Sequence, residues 1–246
     1  CLLDAGFPDQ ALAICADGRV KFPTNSDFHV LSSQAAHAMG NKREAKHHSD
    51  NALELDPQNA VAWAQSGMIH HYDPGGFSKA ESCYRKALEL RPAWINVISN
   101  LGSLYLERHR YDDARRIWGE ARSPELSVKT ALVMATIPPD IETIQADRQR
   151  IHDLCQQPPP AGSISNPVSQ IGLTNFNTAY HGLANCDLHV GVAELHRRIC
   201  PRLGQEKSAR GLAHKPRRIG VISRYLRAHT IADYFVEMLH SIQVQG

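Results

Sequence analysis

Residues 60–92 read AVAWAQSGMIHHYDPGGFSKAESCYRKALELRP, two helix-length segments joined by the turn sequence YDPGGF and closed by Pro92. Two antiparallel helices approach closely only where side chains are small, and Gly67 on the first segment and Ala80 on the second meet that need. Trp63 and Tyr84 supply the bulk that fills the remaining space, and burying each ring is worth on the order of a few kcal/mol. Pro92 follows ALELR, where the missing N–H ends the second helix. The stretch predicts one helical hairpin.

The hairpin recurs along the chain. Ala11, Ala45, Ala80 and Ala114 are separated by 34, 35 and 34 residues. Pro23, Pro57 and Pro92 follow at 34 and 35, and Ala52, Ala87 and Ala121 at 35 and 34. Gly67 and Gly102 form a further column, each followed one helical turn later by a large residue, His70 or Tyr105. Such a period resembles the tetratricopeptide-repeat (TPR) family, whose unit of about 34 residues is helix, turn, helix. Residues 1–25 hold mainly a second helix, and 26–59, 60–94 and 95–125 are complete units, so that 1–125 is a TPR array. The unit 26–59 carries His29, Ser33 and Ala36 in its first helix, and Gly18 stands in an alanine column. Looser packing is expected there.

Stacked hairpins form a groove lined by first helices, along which an extended polypeptide can lie. Asn96, Asn100 and Ser103 are placed to face it, and the TPR resemblance implies that Asn96 and Asn100 hold the backbone of an acceptor polypeptide. Trp63, Trp94 and Trp118 read as core or inter-repeat packing. The pairs His47-His48 and His70-His71 lack further Cys or carboxylate ligands at a metal-site spacing, so no metal is expected and these histidines read as surface or packing residues.

Composition narrows the remaining classes. The chain has 246 residues, 42% hydrophobic, and a net charge of +2 from nearly balanced acids and bases. No basic field for nucleic acid is present. Six cysteines occur without a CxxC pair, and no apolar leader or long apolar run appears. These features predict a cytoplasmic protein without a membrane partner. The start at Cys1 without methionine, and the end soon after one strand and one helix, predict a longer parent chain.

Beyond residue 125 the period fails. Residues 127–136 read as a helix closed by Pro138-Pro139, and 140–156 as a helix behind an Asp140 N-cap with a stripe at Ile141, Ile144, Ile151 and Leu154. PPPAGS at 158–163 reads as a loop, 187–200 as a helical stripe, and 210–218 as a basic linker. Ile219–Ser223 reads as a buried strand, followed by a loop and a helix over about residues 230–242. The fold class is mainly α: a TPR solenoid, a helical connecting region at 126–217, and the first strand-helix unit of a Rossmann-like lobe at 218–246.

The ordered series TIPPD, IGLTNFNTAYHG, LHRRICP and RRIGVISRYLRAHTIADYF resembles the region that joins TPRs to the catalytic domain in bacterial O-linked N-acetylglucosamine transferase-like proteins of glycosyltransferase family 41. The likeness covers roughly residues 130–246. It implies a catalytic unit of the GT-B type, with the strand at 219–223 as the first of its N-terminal lobe. It also implies transfer of N-acetylglucosamine, or another hexose derivative, from its UDP carrier to Ser/Thr of a polypeptide held by the TPR groove, without a cofactor. His229 is implied as the catalytic histidine, as general base or donor-positioning group, with Thr230 beside it at the substrate. His181 is implied either to approach the cleft or to pack the connecting region. Ala232 and Asp233 depart from the glycine usual there, and an added carboxylate disfavours a diphosphate. The fragment by itself is not expected to be catalytically complete. The alternative is a TPR adaptor for protein–protein interaction, without catalysis. A dinucleotide enzyme is set aside, because SRYLRAHT contains no glycine for a phosphate loop.

Overall fold

A computed structural model describes residues 2, 3 and 5–204, which fall within one compact unit. Among them every regular element is helical. The expected strand at 219–223 and the helix after it lie outside the described residues, as do His229 and Thr230.

Helix α1 (Pro8–Lys21) precedes three hairpins. These are α2 (Ser26–Ala38) with α3 (Lys42–Leu55), α4 (Ala60–His71) with α5 (Phe77–Leu90), and α6 (Ile95–Glu107) with α7 (Tyr111–Gly119). The small-residue columns sit at the crossings: Ala45, Ala80 and Ala114 are fully buried. A Cβ on Gly67 would lie 2.6 Å from Tyr84 Cδ1, and one on Gly102 would overlap the indole of Trp118. Each glycine thus makes room for the largest ring of its partner helix. Gly18 does the same for Phe28, and Ser33, fully buried, donates its hydroxyl to the Ala45 carbonyl at 2.7 Å.

Asparagines two residues after the prolines start the helices. Asn25 accepts from the Asp27 N–H, and Asn59 accepts from those of Val61 and Ala62, satisfying donors that a helix start leaves free. Asn59 also donates through Nδ2 to Ser26 Oγ at 2.9 Å and Asp27 Oδ1 at 3.1 Å. The cap of α4 is therefore also a tie to α2. At the corresponding position before α6 stands Trp94, without a side-chain cap. Trp63 and Trp94 are half-buried and pack against the main core, while Trp118 lies within it. The turns inside the hairpins also follow the period. Gly40 (φ 77°), Gly75 (φ 75°) and His109 (φ 57°) occupy the left-handed position in successive units, where glycine alone escapes a steric penalty.

Past the hairpins, α8 (Pro124–Leu132) packs on α7, α9 (Ile141–Gln156) on α8, and α11 (Cys186–Ile199) on α9. A short α10 (Pro167–Gln170) and a 3-10 turn (Phe176–Tyr180) lie between α9 and α11. Helix α8 starts and stops earlier than the expected 127–136. Pro124 opens it, and the chain turns extended at Val133. The Val133 carbonyl instead accepts from Arg150 Nη2 at 3.1 Å. Asp140 caps α9 by accepting from the Thr143 N–H at 2.7 Å. The expected stripe of α9 is only half realised: Ile151 and Leu154 are buried, but Ile141 is exposed. Asp147 is buried instead, held by Arg150 and Arg115. Ile151, Leu154, Ile164, Ile171, Leu195 and Ile199 join α8 in a second core.

Candidate functional site

Helix α4 touches both α2 and α6, and each of the three packs on its hairpin partner. They form one wall of the stack. On α6 of that wall Asn96 is exposed, and Asn100 and Ser103 are half-buried. Where first helices meet the turns, a row of side chains runs across the three units. The His37 ring stacks near Tyr72 at 6.4 Å between centroids, and Tyr72 stacks on His71 at 4.9 Å. His71 Nε2 lies 3.1 Å from Glu107 Oε2, and its Nδ1 lies 3.3 Å from the hydroxyl of buried Tyr84. Sequence spacing misses this row, because its members hold different residue types in each unit.

Lys129 of α8 closes the far end. Its ammonium donates to Ser99 Oγ at 2.7 Å and lies 5.3 Å from the centre of the Trp118 ring. Burial lowers its pKa, partly opposed by Glu125. A cavity of about 310 Å³ opens between the end of α6, the segment after α8 and residues 172–177. The Tyr111 hydroxyl donates to Thr136 Oγ1 at 3.2 Å and accepts from the Thr136 N–H at 3.1 Å, which pins one wall. His109 reaches the same hydroxyl through Nδ1 at 2.8 Å. A wider groove of about 950 Å³ lies between α9 and α11, with Arg148, Cys155, Glu194 and Arg198 among its lining.

His181 stands apart from Asn96 and Asn100, at the end of the 3-10 turn over α9. It is 5% exposed, and neither ring nitrogen has a hydrogen-bond partner among the described residues. Burial and the Arg148 charge lower its pKa, with Asp147 acting in the opposite sense. His48 is buried as well and meets His29 through paired Nδ1 atoms 3.3 Å apart. Burial, then Arg19, His29 and His47, push His48 down to about 4. No cluster of three or more metal-ligating side chains occurs among the described residues. The described cysteines are free thiols. Among these residues no helix is long and apolar enough to cross a membrane.

Residues 26–59 match the tetratricopeptide repeat family model. Over 102 residues the chain is 30% identical to anaphase-promoting complex subunit 7 of Arabidopsis thaliana, covering 40% of this chain and 18% of that protein. It thus spans less than a fifth of that curated relative. Among solved structures, a thermophilic TPR protein of Thermus thermophilus aligns at 14% identity and a TM-score of 0.49, covering 79% of this chain and 93% of that one. A crystal structure of MamA aligns at 22% identity and a TM-score of 0.43, covering 47% and 67%. Residues 26–59 thus carry a tetratricopeptide repeat, and two further hairpins built on the same columns follow it at 60–90 and 95–119.

Proposed function

We propose that this chain is a protein-interaction module whose first-helix wall binds an extended segment of a partner polypeptide. One observation carries the reading. Consecutive hairpins on one period align α2, α4 and α6, and on α6 Asn96 is exposed while Asn100 and Ser103 are half-buried, which supports recognition through their amide and hydroxyl groups. Amides can pair with both the N–H and the C=O of an extended backbone. The similarity to a protein named as a subunit of the anaphase-promoting complex is consistent with a role in assembly. Peptide arrays probed with the chain test the reading. Asn96→Ala with Asn100→Ala should weaken capture, whereas Lys86→Ala, on the exposed face of second helix α5, should leave it unchanged. Equal loss from both, or from neither, would sink it.

A second reading is that the parent protein transfers N-acetylglucosamine from UDP to Ser/Thr of the bound polypeptide. It rests on the resemblance carried by the ordered series TIPPD, IGLTNFNTAYHG, LHRRICP and RRIGVISRYLRAHTIADYF. Sugar transfer assayed with the product of the whole gene tests it. His229→Ala should abolish turnover, and retained turnover would remove His229 from the reaction.

A further inference from the structure

We propose that the cavity between the end of α6 and residues 172–177 receives a basic side chain, lysine or arginine, of the bound polypeptide. The inference rests on the polypeptide-binding reading and names what the partner must present.

Three features carry it. Leu106, Leu132, Met134 and Leu173 line one part of a cavity whose surface is otherwise mostly polar, and they can flank the methylene stem of a long cationic side chain. Glu107 stands in the lining with Oε2 3.1 Å from His71 Nε2, and with its side chain 57% exposed its other oxygen is available at the mouth. Thr174 and Asn177 add oxygen acceptors on the opposite side. The neighbouring arginines are engaged elsewhere: Arg108 lies over the Phe77 ring, and Arg110 over the Tyr105 ring while paired to Asp113. A carboxylate ligand would meet Glu107 as a like charge, which selects against acidic segments.

The cavity is also prearranged. Its wall is fixed by the Tyr111–Thr136 pair, and His109 holds the left-handed conformation that glycine holds in the other two hairpin turns. Backbone strain of this kind is concentrated at ligand sites. The row His37, Tyr72, His71 leads along the wall to Glu107, so a segment lying on it reaches the cavity at its end.

The experiment uses the 246-residue chain on immobilised decapeptide mixtures in which each amino acid in turn is fixed at the central position. Lys and Arg mixtures should be captured about tenfold more strongly than Met or Glu mixtures. Glu107→Gln should erase that preference, and Glu107→Asp, which keeps the charge, should retain most of it. Capture without a preference for basic residues, or a preference that survives Glu107→Gln, overturns the pocket and leaves the polypeptide-binding reading standing. No capture of any mixture overturns both.

Discussion

Replacing Gly102 with alanine tests the hairpin crossing directly, because two opposed effects can be weighed at one atom. In a helix interior alanine is favoured over glycine by about 1 kcal/mol. Here the new Cβ would overlap Trp118 Nε1 and Cε2 and lie 2.6 Å from its Cδ1, well inside the usual carbon contact of about 3.5–4 Å. Trp118 is 1% exposed, so the indole has no open space to enter. Displacing it strains the core by about 1–3 kcal/mol. It also pulls Nε1–H from the Ser99 carbonyl, 3.2 Å away, at a further cost of about 1 kcal/mol. Packing outweighs propensity, and a net loss of about 1–3 kcal/mol follows. Thermal melts by circular dichroism, with hydrogen exchange on the α6 and α7 amides to localise the change, measure it. Gly119→Ala is the internal control: its Cβ would meet nothing closer than Thr130 Cγ2 at 3.8 Å, so that variant should be neutral or slightly stabilised. If Gly102→Ala melts at or above wild type, the crossing does not depend on a missing side chain and the reasoning fails.

Other outcomes follow from the same contacts. Asn59→Ala removes both the α4 cap and the bonds to Ser26 and Asp27, and chemical denaturation should register a loss of about 1–2 kcal/mol. His109→Gly relieves a left-handed residue and should raise stability by about 1 kcal/mol, while a lower midpoint would show that the imidazole contact to Tyr111 outweighs the strain. Acidification should destabilise the fold through His48, whose folded pKa is lowered from 6.5 to about 4. Between those values the unfolded chain binds a proton that the folded chain refuses, so stability falls as pH drops through the window and is level above it. The loss is on the order of 2–3 kcal/mol by the bottom of the window, and a flat stability profile over that range would refute it.

The hairpins were legible because small residues recur for a steric reason that sequence displays. An alanine at 45, 80 or 114, or a glycine at 67 or 102, reports directly on how near two backbones come. The Asn caps carried a readable signal, an asparagine two residues after Pro23 and Pro57, outside the alanine and glycine columns. The end of α8 had no local signal. ALVMA continues an apolar helical run, and the chain leaves the helix where Arg150 of another helix takes the Val133 carbonyl. Asp147 was hidden likewise, since an acid on an amphipathic helix reads as solvated until Arg115 and Arg150 are seen around it. The repeat period placed Asn96 and Asn100 on a first helix, α6. The cavity could not be read from the period, because its lining comes from segments tens of residues apart, brought together only by the packing of α8 and α9 at the end of the array.

The asparagine tie between α4 and α2 has a mechanical consequence. A partner that pulls on the array loads its seams in series, and the seam held by Asn59 resists through two bonds to the preceding unit as well as the cap itself. The next seam begins at Trp94, whose indole supplies no cap and is accompanied by Arg91 over the ring at 4.7 Å. That seam is tied elsewhere: the Tyr105 hydroxyl of α6 donates to Glu81 Oε1 of α5 at 2.8 Å and accepts from Arg85 Nη2 at 2.9 Å, so a pull along the array meets polar ties at both seams rather than at one.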